Sequence, residues 1–172
     1  MSEYQYYHFS AIDRPLTSRE ISELRALSTR ATITPTSFTN EYHWGNFKGE
    51  PSKLMDLYFD AFLYVANWGS RELHFRLPWR QFDTEAAAPY LVDGCLSLRR
   101  HGDFMILEIL ADGEEGLWEM DRDPAEWLPA LVPLRADLLR GDLRSLYLAW
   151  LACAEAGLIE DDVPEPLVPP GL

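Results

Sequence analysis

The chain has 172 residues, 47% hydrophobic and 25% charged, long enough to bury roughly 70% of its unfolded surface in one core and too apolar for disorder. A net charge of −13 repels phosphate backbones and anionic membrane surfaces within about a Debye length, which argues against duplex nucleic acid as a direct partner. Only Cys95 and Cys153 are present, without CxxC spacing, so neither a zinc site nor a disulfide is expected, and with no basic-then-apolar leader the expected compartment is a reducing cytoplasm.

Tyr4 to Ile12 is aromatic and β-prone, and Asp13-Arg14-Pro15 closes it, because proline cannot continue strand pairing. Thr17 and Glu20 have the spacing of a capping box, with Leu16 and Ile21 as its staple, so a helix starts there, buries Ile21, Leu24 and Leu27, and ends near Arg30. Ala31 to Phe38 reads as a second strand bent at Pro35, followed by a loop from Asn40 to Glu50. Pro51 and Ser52 open a short second helix with Leu54, Leu57, Tyr58 and Ala61 on one side. Phe62 to Trp68 and Glu72 to Leu77 form a hairpin, the second strand alternating Leu73, Phe75 and Leu77 inward with Glu72, His74 and Arg76 on a wet face. After a helical turn or loop from Asp83 to Pro89, Cys95 to Arg99 and Phe104 to Leu110 form a second hairpin around the turn Arg100-His101-Gly102-Asp103.

Beyond Asp112 the sequence becomes acidic: residues 103 to 128 carry nine acids and one base, so most of the excess charge sits in that segment. Pro124, Pro129 and Pro133 predict a short helix, a break and a restart at Pro133 that stops at Gly141. Asp142 is placed to cap a last helix whose stripe is Leu143, Leu146, Tyr147, Trp150 and Leu151, ended by Gly157. Residues 1–160 therefore read as a single α+β domain, a mainly antiparallel sheet with helices on one face or end and further helices at the C-terminus. The first strand-helix-strand unit has the order of half a ferredoxin-like motif. The proline-rich residues 161–172 read as an extended tail or linker.

The most site-like segment is Asn40 to Gly49, where Glu41 could orient His43 as an acid or base beside Tyr42, while Tyr42, Trp44 and Phe47 could equally pack a loop over the core. No catalytic residue is assigned. His8, His74 and His101 share no ligand spacing with His43, so no metal or other cofactor is expected, and no GxSxG, GxxxxGK[ST] or GxGxxG motif occurs. Arg71, Arg76, Arg80, Arg99 and Arg100 either form a basic stripe, pair internally with the acidic run, or sit on the solvated face of the sheet. That run sets Glu114 and Glu115 beside Trp118, an apolar anchor within an electrostatic rim.

The segments Phe9 to Thr17, Ile33 to Trp44, Phe59 to Gly69, Arg140 to Trp150 and Pro169 to Leu172 resemble a family of uncharacterised bacterial proteins. The resemblance implies an N-terminal domain that continues into further helical sequence, and carries no activity with it. The leading expectation is a non-enzymatic protein–protein interaction domain, an adaptor or accessory subunit presenting Trp44, Phe47, Trp118, Glu114 and Glu115 to another protein. Two alternatives are a hydrolase or nuclease component with a site at Glu41, Tyr42 and His43, and an acidic mimic of nucleic acid that blocks a basic groove.

Overall fold

The computed structural model describes residues 3–113 and 123–172. Within them the N-terminal aromatic run forms strand β1 (Gln5–Ser10), and the capping box starts helix α1 (Ser18–Leu27). Thr17 Oγ1 accepts the Glu20 N–H at 3.2 Å and Glu20 Oε2 accepts the Thr17 N–H at 2.7 Å, so two donors that a helix start leaves open are satisfied reciprocally. Leu24 is fully buried, but α1 stops three residues short of Arg30, and Leu27 at its end is 40% exposed.

The expected bent strand is two strands, β2 (Thr32–Thr34) and β3 (Ser37–Tyr42). Pro35 sits in the hairpin turn between them, where its missing N–H removes no ladder bond. Asn40, Glu41 and Tyr42 consequently belong to a strand, and the loop starts only at His43. Helix α2 (Pro51–Leu57) opens on proline as read and buries Leu54 and Met55, while Leu57 is 56% exposed. Next come β4 (Ala61–Ala66), β5 (Ser70–Pro78), α3 (Thr84–Ala87), β6 (Leu96–His101) and β7 (Phe104–Asp112). Helices α4 (Trp127–Leu139) and α5 (Arg144–Glu155) follow.

The seven strands form one antiparallel sheet in the order β2-β3-β1-β4-β5-β7-β6. This is the mixed α+β class expected. Strand β1 pairs antiparallel with both β3 and β4, which removes the parallel crossover of a ferredoxin-like half.

Side-chain alternation sorts the helices onto both faces. On one face Tyr7, Phe9, Phe38 and Phe62 pack with Leu24 of α1, with Leu54 and Met55 of α2, and with Phe59. On the other, Leu63, Val65, Phe75, Leu77 and Leu107 pack with Leu128 and Leu138 of α4 and with Leu146, Trp150 and Cys153 of α5.

Because both faces are covered over its second half, β5 keeps only Glu72 of the expected wet side, its side chain 38% exposed, and the expectation for His74 and Arg76 is corrected: they are 5% and 7% exposed. Burial of Arg76 is compensated by Asp60, whose Oδ1 accepts from Nε at 3.1 Å and from Nη2 at 2.8 Å. Asp60 Oδ2 accepts the N–H groups of Ile12 and Asp13 at 2.7 and 2.9 Å. Asp13 in turn takes both Nη atoms of Arg135 from α4, at 2.8 and 2.7 Å. The network clamps α4 to the end of the sheet where β1 finishes and β4 begins.

No break occurs at Pro133; α4 runs through it. Pro129 lies in the first turn, where N–H groups have no intrahelical partner, so the helix loses a single internal bond, and its packing outweighs that loss. Gly141 and Gly157, at φ of +84° and +70°, end α4 and α5 with paired C-terminal bonds, Asp142 N–H to Asp137 O and Leu158 N–H to Cys153 O, both 3.0 Å. The N-cap of α5 is Leu143, which has no capping side chain; Asp142, expected there, stands one residue before it and accepts the Arg144 N–H at 3.1 Å.

Cys95, just before β6, is bonded to Cys153 of α5 with Cα atoms 6.3 Å apart. The expectation of no disulfide is therefore corrected. The two cysteines stand 58 residues apart, and it is the docking of α5 onto the β6 side of the sheet that brings them together. The pairing also withdraws the compositional argument for a reducing compartment.

The tail is extended and lies against the body: Tyr147 Oη donates to Glu165 at 2.7 Å and Tyr90 Oη to the Leu167 carbonyl at 2.8 Å. Among the described residues no helix is long and apolar enough to cross a membrane.

Candidate functional site

Strand geometry separates the residues that the sequence set side by side. Glu41 and Tyr42 are neighbours in β3, so they point to opposite faces of the sheet. On one face Tyr4 stands between Glu41 and His43, its ring centroid 5.3 Å from the imidazole. Its hydroxyl is pushed up to about 12, first by burial, then by the charges of Glu41 and Asp123 and by its hydrogen bond to Glu41. Glu41 thus accepts from a neutral tyrosine, and His43 lies exposed. On the opposite face Tyr42 Oη accepts from Asn40 Nδ2 at 2.8 Å. The three residues do not converge on one reacting position.

Tyr42 instead lines a groove of about 500 Å³ between the end of α1 and the loop after β3, together with Ser28, Thr29, Arg30, Trp44, Asn46 and Lys48. Asn40 Nδ2 also donates to Ser28 Oγ at 2.8 Å, tying the α1 terminus to β3. Arg25 Nη1, from the last turn of α1, donates to the carbonyls of Ser28, Thr29 and Ala31 at 3.3, 3.4 and 2.7 Å, which fixes the chain just beyond the helix.

The opposite wall is fixed by Phe47, packed against Tyr7 at 5.3 Å and Phe38 at 5.7 Å. Its ring covers Gly49 so closely that an added Cβ would lie 2.5 Å from it. Gln5 Nε2 holds the loop backbone through the Gly45 carbonyl at 3.3 Å and through Asn46 Oδ1 at 3.0 Å. Gly45 turns the chain at φ +78°, a conformation that costs glycine nothing.

Trp44 is the exception within this fixed loop: it is 77% exposed, the highest value of any aromatic side chain among the described residues. A rigid loop therefore presents an indole at the rim of a polar groove. Trp44 and Phe47, read together as interaction residues, have separate roles, Phe47 holding the loop and Trp44 standing out from it. Trp118, Glu114 and Glu115 lie outside the described residues.

Three of the arginines read as a stripe are engaged within the fold. Arg76 is in the buried network; Arg99 meets Asp56 at 2.8 Å and Glu108 at 3.4 Å; Arg100 lies over the Trp79 ring at 4.2 Å. Arg30, which the sequence placed at a helix end and nothing more, became a groove residue because α1 stops early. Its position in the wall follows from the Asn40–Ser28 bond, a long-range contact with no local sequence signal. Among the described residues no group of three or more His, Cys, Asp or Glu side chains is arranged to hold a metal ion.

No protein-family model, curated protein or solved structure matches the chain.

Proposed function

We propose that this protein is a non-enzymatic interaction domain, an adaptor or accessory subunit that docks another protein at the groove between α1 and the 43–50 loop. The observation that carries this reading is Trp44, 77% exposed on a loop whose backbone and neighbouring side chains are tied down. Exposing an indole forgoes its burial energy, and a pre-fixed aromatic beside a pocket loses little entropy when a partner covers it. Phe47 and Gln5 hold the loop that carries it, and the groove volume of about 500 Å³ accommodates one or two side chains of a partner.

The test is isolation of the protein from its native cell as wild type and as Trp44→Ala. Loss of a stoichiometric partner in the variant, with melting temperature unchanged, supports the docking role. Retention of the same partner at the same ratio removes it.

A further inference from the structure

We infer that the groove takes an acidic peptide segment of the partner, one bulky apolar side chain lying on the Trp44 indole while flanking carboxylates meet Arg30 and Lys48; this rests on the docking reading above. The first support is a census of the basic side chains. Among the described residues, Arg14, Arg19, Lys53, Arg76, Arg99, Arg135, Arg140 and Arg144 are each bonded to a carboxylate. Arg25 is taken by carbonyls, Arg100 by an aromatic ring, and Arg71 has interactions of its own. That leaves Arg30, Lys48 and Arg80 without a hydrogen bond or ion pair to described residues, and the first two line the same groove.

The second support is what the groove lacks. None of its lining residues is Asp or Glu, in a chain with 28 acids against 15 bases. Two other grooves, beside the α4–α5 turn, are both lined by Asp142. The partial negative charge at the end of α1 would oppose an anion, and Arg25 in its last turn sets a positive charge against it while holding the Ser28, Thr29 and Ala31 carbonyls just beyond the helix. Asn46 Oδ1 is taken by Gln5, and Tyr42 Oη already accepts from Asn40, so the amide N–H groups of Asn46 and the hydroxyl proton of Tyr42 remain to donate. These donors and the two cations fit carboxylates.

A long polyanion is disfavoured by the net charge of −13, whereas a segment with two or three carboxylates senses chiefly the charges nearest to it. The indole face adds an apolar contact that free phosphate cannot use.

The probe is a capped decapeptide with one leucine flanked by glutamates, titrated into the ¹⁵N-labelled full chain. Controls are the same peptide with lysine for glutamate, AMP and inorganic phosphate. The expected result is a shift of the Trp44 indole N–H, assigned with Trp44→Phe, and of the Asn46 amide, with the glutamate peptide alone. Affinity should fall roughly tenfold between low salt and several-fold physiological salt, and at least as far in an Arg30→Glu/Lys48→Glu variant of unchanged melting temperature.

Equal shifts with the lysine peptide, AMP or phosphate, or none with the glutamate peptide, overturn the inference. In the native complex, partner loss in Trp44→Ala but not in the charge-reversed variant overturns the acidic segment and leaves docking intact. Partner retention in Trp44→Ala overturns both.

Discussion

The two ends of the sheet hold basic residues in opposite circumstances. Where β1 ends, Arg76 and Arg135 are almost wholly buried and every bond they make is to Asp60, Asp13 or a carbonyl. Where β1 begins, Arg30 and Lys48 are exposed and bonded to none of the described residues. The same chemistry is spent inside the fold at one end and left on offer at the other. Stability and recognition should therefore respond to different substitutions.

The largest effect is expected from Asp60→Ala. It strands Arg76 and opens the N–H groups of Ile12 and Asp13, a loss of about 3–5 kcal/mol and roughly 10 °C in melting temperature. Urea unfolding measures it, and a loss below about 1 kcal/mol would mean that the network is not a clamp.

The disulfide comes next. It closes a separation of 58 residues, so reduction or Cys95→Ala/Cys153→Ala should cost about 4 kcal/mol. Alkylation of freshly lysed cells, read by mass, reports whether the pair exists where the protein works. Two alkylated thiols would return the cytoplasmic compartment expected from composition, and none would point to an oxidising one.

A smaller effect is tied to pH. Burial lowers the pKa of His8 below its ordinary 6.5. The unfolded chain then takes up a proton at His8 that the folded chain refuses, so stability present above pH 6.5 declines as pH falls through that value toward the folded pKa. His8→Gln should flatten that part of the stability–pH curve, and an unchanged slope would exclude His8 as its source.

The smallest effect belongs to the open end. Arg30→Glu, Lys48→Glu and Trp44→Ala should each change stability by no more than about 0.5 kcal/mol, because no described group loses a partner. A cost approaching that of Asp60→Ala would show that these side chains also hold the fold together.

What was legible in the sequence follows the range of the interactions involved. The Thr17–Glu20 capping box, proline at the start of α2, the two hairpins and Gly157 as a terminator are decided within a few residues, and all are present, although the second hairpin turns at Gly102-Asp103 with Arg100 and His101 inside β6. The wet face assigned to His74 and Arg76 failed because alternation reveals two faces without revealing that α2 covers one of them. Cys95 and Cys153 looked unpaired for the same reason, since the sheet edge and α5 meet only after folding. At the candidate site, Trp44 was visible as an aromatic in a polar loop. Arg30 was not, because its role depends on a helix that stops early and on Asn40 reaching across to Ser28.

Site-specific photocrosslinking tests docking at the groove most directly. Benzoylphenylalanine replaces Trp44 in the native cell, with the exposed Leu57 and Leu148 as control positions. A single partner protein should be captured from position 44 and from neither control. Absence of any adduct at 44, or the same adducts from all three positions, would contradict the account.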